Sequence, residues 1–395
     1  MLTTRIEKLL VDTTIATPCL VLDQQRVAHN YQAFRRHMPK MTPYYAVKAN
    51  PHPAFLAMLV AEGAYFDCAS FQEIIMVLNA GATADRISYG STIKKAADIA
   101  KAYQMGVRQF AFDAIEELQK IADHAPGATV ICRILTNDSG SGAQWPLSRK
   151  FGCDSEMAIG LLVQAAVMGL APRGVSFHVG SQQLDINAWD AAISRSATIF
   201  AAVQAQGIAL DILNLGGGFP TAFNRQNTPG LDAYGAAIMA SVERHFGDNA
   251  PQLLIEPGRA LVGDAGVIVT EVVLVSTKSA DDSRRWVYLD VGRFHGLAET
   301  EGEAIRYRIS VPERATSATT PAVIAGPTCD SVDTLYERNP IPMPVDLAAG
   351  DIVLVHDTGA YTSTYSSVGF NGFAPLQVCL AEELAADRWP ALQTG

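Results

Sequence analysis

The chain has 395 residues, 49% of them hydrophobic and 18% charged, with a formal net charge of −10 from 40 acidic and 30 basic side chains. This describes a well-buried globular chain of more than one domain, or one large barrel with a smaller partner. Its charge excludes a nucleic-acid or anionic-membrane surface and suits a small cationic ligand. Six scattered cysteines (19, 68, 132, 153, 329 and 379) make no Cys-x-x-Cys pair and no zinc spacing, so a reduced, cytoplasmic chain without a bound metal is expected.

In chain order, MLTTRIEKLLVDTT reads as a short amphipathic helix without the apolar core of a targeting signal. TPCLVLD fits either an entry to the main domain or a strand of a second one. From about residue 40 to 260, eight β-type runs alternate with Ala/Leu-rich helical spacers: YYAVKAN, AYFDCAS, RISYGS, QFAFDA, TVICRIL, GVSFHVGS, DILNLGGG and LLIEPGR. Such alternation means parallel strands with crossover helices, closing naturally as an eight-stranded barrel. An open doubly wound sheet has the same periodicity, but its G-x-G-x-x-G fingerprint is absent. Polar residues also fall at successive run ends: Lys48, Asp67, Ser91, Asp113, Arg133, His178, Gly216 to Gly218, and Glu256. In a barrel those ends share one rim, where active sites are assembled. The loop TNDSGSGAQWPLSRK has the most flexible composition.

After residue 262 the runs GVIVTEVVLVST, RRWVYLDV, PAVIAGPTCD and DIVLVHD lack long helical spacers, which predicts an antiparallel domain of sandwich or barrel type. The longest apolar stretch, AGVIVTEVVLV, is broken by Glu271 and too short to span a bilayer. The expected class is therefore α/β: a (β/α)8 barrel over 24–260, with 1–23 plus 261–395 forming the β domain.

Lys48 ends the apolar run YYAVK. A lysine taken into apolar surroundings sheds its proton and becomes a nucleophile, although a strand-end lysine taken alone more often simply points into water. The triplet in NLGGGFP lets backbone N–H groups approach an anion, or simply makes a tight turn. EPGR adds Arg259, whose guanidinium suits phosphate, and phosphate sites from the last two strand–helix loops are frequent in such barrels. Glu256 ends an apolar strand and needs a cationic or N–H partner, which Arg259 or a protonated pyridine nitrogen would supply. Neither His178 nor Ser181 is specific alone. Cys329, Asp330 and Asp333 lie in GPTCDSVD and Tyr361 in a Gly/Ser/Thr-rich loop. A lysine, a phosphate cradle and a carboxylate for a ring nitrogen together describe a pyridoxal 5′-phosphate site.

YAVKAN, FDCAS, SFHVGSQ, LGGGFP, EPGR, GPTCDS and GAYT…FNGF, in this order and at similar spacing over nearly the whole chain, resemble the alanine racemase-fold (fold type III) decarboxylases of the ornithine decarboxylase group. The resemblance implies Lys48 as the Schiff-base lysine and His178 as the imidazole stacked on the cofactor ring. It implies Gly217, Gly218, Ser181, Arg259 and Tyr361 as phosphate contacts, and Glu256 as the partner of the ring nitrogen. Asp67 and Arg133 would line the cofactor. Cys329, as proton donor, and Asp330, as receptor for a distal ammonium, would serve the neighbouring subunit of a homodimer with shared sites, with Asp290 a second acidic contact and Tyr361 near the substrate. Lys150 and Asp333 would bridge the subunits. The chain departs from the family pattern at Arg293 and His295, and its loop between Tyr361 and Phe370 is one residue longer than the animal-type pattern. The expected reaction is decarboxylation of L-ornithine to putrescine, with L-lysine to cadaverine as a second activity. The alternatives are diaminopimelate decarboxylation, for which Arg293 would serve as the distal cation, and a non-catalytic regulatory paralogue.

Overall fold

The computed structural model describes residues 8, 9, 15–136, 143–145, 150–223, 228–281 and 284–384. The chain divides into two compact units, one comprising Ala28–Pro220 with Thr228–Leu261, the other Met1–Val27, Thr221–Asn227 and Val262–Gly395. Among the described residues no helix is long and apolar enough to cross a membrane.

The first unit is a closed barrel of eight parallel strands: β1 (Met41–Ala46), β2 (Tyr65–Cys68), β3 (Ile87–Tyr89), β4 (Gln109–Phe112), β5 (Thr129–Arg133), β6 (Ala171–Ser176), β7 (Ile212–Asn214) and β8 (Gln252–Ile255). Each of the eight predicted runs overlaps one of them. Their residues are largely buried because helices cover one face and neighbouring strands fill the other. Two of the helices start where the sequence offers a capping acceptor: Ser70 Oγ takes the Glu73 N–H (3.2 Å) ahead of Phe71–Asn79, and Asp154 Oδ1 takes the Met157 N–H (2.8 Å) ahead of Ser155–Val167.

Hydrogen bonding continues past the short strands. Leu215 N–H donates to Leu254 O (2.8 Å), Glu256 N–H to Gly216 O (2.8 Å), Ala46 N–H to Pro257 O (3.2 Å) and Gly90 N–H to Cys68 O (3.0 Å). The rim that carries the polar residues is therefore laced at backbone level.

In the second unit nine strands are linked in one sheet. Its long strand β9 (Gly266–Ser276) pairs antiparallel with Cys19–Leu22, with β10 (Arg285–Leu289) and with β12 (Ile352–His356). TPCLVLD thus joins this unit. The sequence predicts antiparallel pairing throughout, yet β10 runs parallel to β11 (Thr319–Ala325), and Cys19–Leu22 runs parallel to Gln377–Leu380. The reason lies in the connections: both pairs are joined by long chain segments rather than hairpins, and long connections permit parallel neighbours.

Candidate active site

Lys48 sits in a 3-10 turn, Val47–Ala49, directly after β1. Tyr45 is fully buried and its hydroxyl donates to Asn50 O (2.7 Å), while Asn50 N–H closes the turn onto Val47 O (3.1 Å). Val47 and Ala49 are buried, which leaves Lys48 as the exposed member of the turn. Its surroundings differ from the expected apolar ones: Lys48 acts electrostatically on Asp67, Glu73 and His178.

Asp67 is 6% exposed, and its Oδ1 makes no hydrogen bond. Burial, then the nearby Glu256 carboxylate, pushes its carboxyl well above the ordinary range, with Lys48 opposing. A Cβ on Gly90 would overlap that oxygen, so glycine at 90 is what gives Asp67 its place. Glu73 accepts the Ala69 N–H (2.6 Å) at the start of its helix, and burial raises its carboxyl too.

His178 Nδ1 accepts from Gly180 N–H (2.9 Å), which leaves the ring proton on Nε2. Burial, then the charges of Arg133 and Lys48, lowers its pKa well below the usual histidine value. The imidazole is neutral. The glycine triplet packs beside it. Gly216 (φ +65°) and Gly218 (φ +106°) adopt left-handed backbone, and a Cβ at Gly217 would stand 2.6 Å from Glu256 O and 3.3 Å from His178 Nε2. From behind, Trp189 Nε1 holds Leu215 O (3.1 Å) and stacks on Phe219 at 5.1 Å. Gln183 N–H holds Gly218 O (2.9 Å), and Arg259, 3% exposed, donates Nε–H to Ser181 Oγ (3.3 Å).

Glu256 Oε1 accepts from Asn214 Nδ2 (2.6 Å). Both line an internal pocket with Arg133, Ser88, Gly90 and Ser176. Desolvation lowers the Arg133 pKa against the opposing fields of Glu256, Asp67 and Asp113. The barrel thus brings together Lys48, Asp67, Arg133, His178, Ser181, Gly217, Gly218, Glu256 and Arg259. Ser91, expected on the rim, bonds Ile93 O (2.9 Å) within its own turn, and the pocket is lined by Ser88 instead. Asp113 Oδ2 accepts the Gly152 N–H (2.7 Å) and ties down the end of the long loop, most of which lies outside the described residues. The sequence reading missed Asn214, Gly90, Ser88 and Glu73; Asn214 and Gly90 stand inside motifs it quoted.

The second unit carries the other candidates on loops. Cys329 is exposed, with its N–H donating to Asn371 Oδ1 (2.8 Å), and Asp330 Oδ1 accepts the Val332 N–H (2.9 Å). Asp290 Oδ1 accepts from Thr270 Oγ1 (2.5 Å) and Glu271 N–H (3.1 Å). Asp333 is 2% exposed and accepts from Arg293 N–H (2.7 Å), Thr328 N–H (3.2 Å) and Thr328 Oγ1 (2.7 Å). Arg293 and Thr328 satisfy its carboxylate within the chain, and Lys150 Nζ lies 5.1 Å from the Phe151 ring centre. Arg293 pairs with Glu301 and donates to Thr334 O (2.9 Å). His295 is 2% exposed, its ring nitrogens make no hydrogen bond, and desolvation lowers its pKa. Tyr361 is held at φ +55°, a costly conformation for a bulky residue.

Residues 24–263 match the family described as pyridoxal-dependent decarboxylase, pyridoxal binding domain. The chain belongs to this family. It is 35% identical to a lysine/ornithine decarboxylase of Selenomonas ruminantium over 91% of this chain and 88% of that one. It is 32% identical to a Xenopus laevis protein named antizyme inhibitor 2, over 94% of this chain and 82% of that one. The fold matches the crystal structure of a Vibrio vulnificus lysine/ornithine decarboxylase complexed with cadaverine, with a TM-score of 0.84 and 31% identity over 95% of this chain and 98% of that one. The barrel residues fit the cofactor of the family on their own chemistry. The glycine turn is closed to any side chain, and Asp67 Oδ1 is a buried acceptor with no hydrogen bond inside the protein.

Proposed function

We propose that this protein decarboxylates basic L-amino acids with pyridoxal 5′-phosphate, converting L-ornithine to putrescine and L-lysine to cadaverine. The observation that carries this reading is the convergence of Lys48, His178, the glycine turn, Arg259 and the Asn214–Glu256 pair on one barrel rim. Pyridoxal phosphate, when bound, supplies the electron sink that makes loss of carbon dioxide from Cα accessible. Lys48 would hold its aldehyde carbon, and Glu256 would accept from the protonated ring nitrogen. The neutral His178 would lie against the ring without competing for that proton. Gly217, Gly218, Ser181 and Arg259, with Tyr361, would take the phosphate, while Asp67 and Arg133 line the remaining wall.

In this reading Cys329 returns a proton to Cα, and Asp330 and Asp290 attract the distal ammonium of the substrate. We also propose a homodimer with shared sites, each using the barrel of one subunit and Cys329 and Asp330 of the other. Support comes from the exposed apolar side chains grouped along those loops: Val332, Tyr365, Val368, Phe370 and Phe373. Lys150 and Asp333 belong to the same proposed interface. Arg293 argues against the diaminopimelate alternative, because Glu301 and Thr334 already engage its guanidinium.

The test measures carbon dioxide release from ornithine, lysine, arginine and meso-diaminopimelate. Release from ornithine or lysine is expected, and release from diaminopimelate alone overturns the substrate assignment. The likeness to antizyme inhibitor 2 bears on the regulatory alternative. Absence of both an absorbance band of the bound cofactor and carbon dioxide release would favour it.

A further inference from the structure

Asn214, the last residue of β7 and 5% exposed, is given no role of its own above beyond its pairing with Glu256. Its Nδ2 donates to Glu256 Oε1 (2.6 Å), and its Oδ1 accepts from Gly216 N–H (2.9 Å). Gly216 O in turn accepts from Glu256 N–H (2.8 Å). Three hydrogen bonds therefore close a ring through Asn214, Gly216 and Glu256 across the ends of β7 and β8.

Only a primary amide on a short side chain completes this ring, because one planar group must donate to a carboxylate and accept from a backbone N–H. Aspartate has the same shape but no donor, and would set a second carboxylate against the first. Leucine fills the volume and offers neither bond. A buried donor and acceptor fully used in this way cost little in the folded state and define a single geometry. The other ionisable groups acting with Glu256 are Arg133 on β5, Asp67 on β2 and Tyr44 on β1. None of them duplicates the Asn214 hydrogen bond.

We propose, on the cofactor reading above, that Asn214 is a positioning residue: it locks the Glu256 carboxylate to the Gly216–Gly218 turn, so that the ring-nitrogen and phosphate contacts are presented as one preorganised frame. The glycine turn begins at Gly216, so whatever orients that residue also orients the backbone beyond it. The same side chain donates the hydrogen bond that fixes Oε1 of the Glu256 carboxylate. The frame would lower the entropic cost of binding a ligand that must satisfy both ends at once.

The experiment titrates pyridoxal 5′-phosphate into apoprotein of the natural sequence and of Asn214→Ala and Asn214→Asp, each also in a Glu256→Ala background, from pH 6 to pH 9. Thermal unfolding of every apoprotein reports its fold. Asn214→Ala is expected to weaken cofactor binding roughly tenfold to a hundredfold, the scale of a lost hydrogen bond to a charged group. Asn214→Asp keeps the acceptor for Gly216 and is expected to bind well only at low pH, where the two carboxyls share a proton, and to lose affinity as pH rises. In the Glu256→Ala background the loss caused by Asn214→Ala should shrink several-fold, because the bond to the carboxylate is already gone and only the one from Gly216 N–H remains to be lost. A pH profile for Asn214→Asp parallel to that of the natural protein, or an undiminished loss in the Glu256→Ala background, overturns the proposal and leaves Asn214 a packing residue. Failure of the natural apoprotein to bind the cofactor at all overturns the cofactor reading instead. If Asn214→Ala does not fold, the isosteric Asn214→Asp still decides the question.

Discussion

The barrel rim and the loops of the second unit place their polar groups in contrasting ways. On the rim each candidate is set by a strand end and a backbone bond: Lys48 by a turn closed through Tyr45 and Asn50, His178 by Gly180, and Glu256 by Gly216 and Asn214. In the second unit Cys329 is exposed on a loop and located through its backbone N–H, while Tyr336, Asp357, Tyr361 and Asn371 all hold left-handed backbone. The difference teaches a division of labour. On the proposed function, groups that would meet a rigid planar ligand are built on parallel strands, and groups that would meet a substrate which enters and leaves are carried on loops.

The largest effects test whether the two sets act together. Lys48→Ala is expected to cut carbon dioxide release by roughly a thousandfold or more, and Cys329→Ala by roughly a hundredfold. After subunit exchange, a mixture of the two should regain about a quarter of the natural activity, since about half of the randomly paired dimers hold one intact shared site. No recovery, with exchange demonstrated, would put both residues in one chain's site and erase the contrast.

Gly90→Ala probes the rigidity of the rim. Its methyl would overlap Asp67 Oδ1, so a loss of about 1–3 kcal/mol in urea unfolding is expected. An unchanged midpoint and unchanged cofactor affinity would show that Asp67 yields freely.

Two groups, one in each unit, should respond to pH with opposite sign. Burial raises the Asp357 carboxyl to about 6 despite Arg308, which stops 3.9 Å away. A folded value above the ordinary one means the contribution of this group is fully present below about pH 4 and is lost as pH rises through about 6. Asp357→Asn, tolerated at φ +62°, should therefore stabilise the protein above pH 6 by about 2–3 kcal/mol and by almost nothing near pH 4. His178, lowered in the folded state, acts the other way: its contribution is lost as pH falls below about 6.5, where the unfolded chain takes up the proton. Urea unfolding of Asp357→Asn and His178→Asn at pH 4.5 and pH 8 separates the two, and equal slopes would refute the contrast.

The smallest effect concerns the loop that carries Cys329. Asn371→Gly keeps the left-handed backbone (φ +51°) but removes the Oδ1 that holds Cys329 N–H, at about 0.5–1.5 kcal/mol. A modest fall in kcat with unchanged KM is expected. A change in KM alone would assign the loop to substrate binding.

By itself the sequence determined the eight strands of the barrel and most of its rim. Apolar runs, helical spacers and strand-end polar residues are local signals, and a parallel barrel turns position along a strand into position on the rim. That is why Lys48, Asp67, Arg133, His178 and Glu256 were legible one residue at a time. Only the tertiary structure decided what depends on two segments meeting. It set Ser88 rather than Ser91 in the pocket wall, because β3 ends at Tyr89 and Ser91 turns its hydroxyl onto Ile93 O. It made Gly90 a space for Asp67, engaged Arg293 with Glu301, enclosed Asp333 in its own loop, and introduced parallel pairs into the β unit. It also turned Asn214, which in sequence only precedes a glycine-rich turn, into the link between that turn and Glu256, 42 residues further along the chain. Such long-range hydrogen bonds leave no periodicity behind, since they arise from the closure of the fold and not from the order of neighbouring residues.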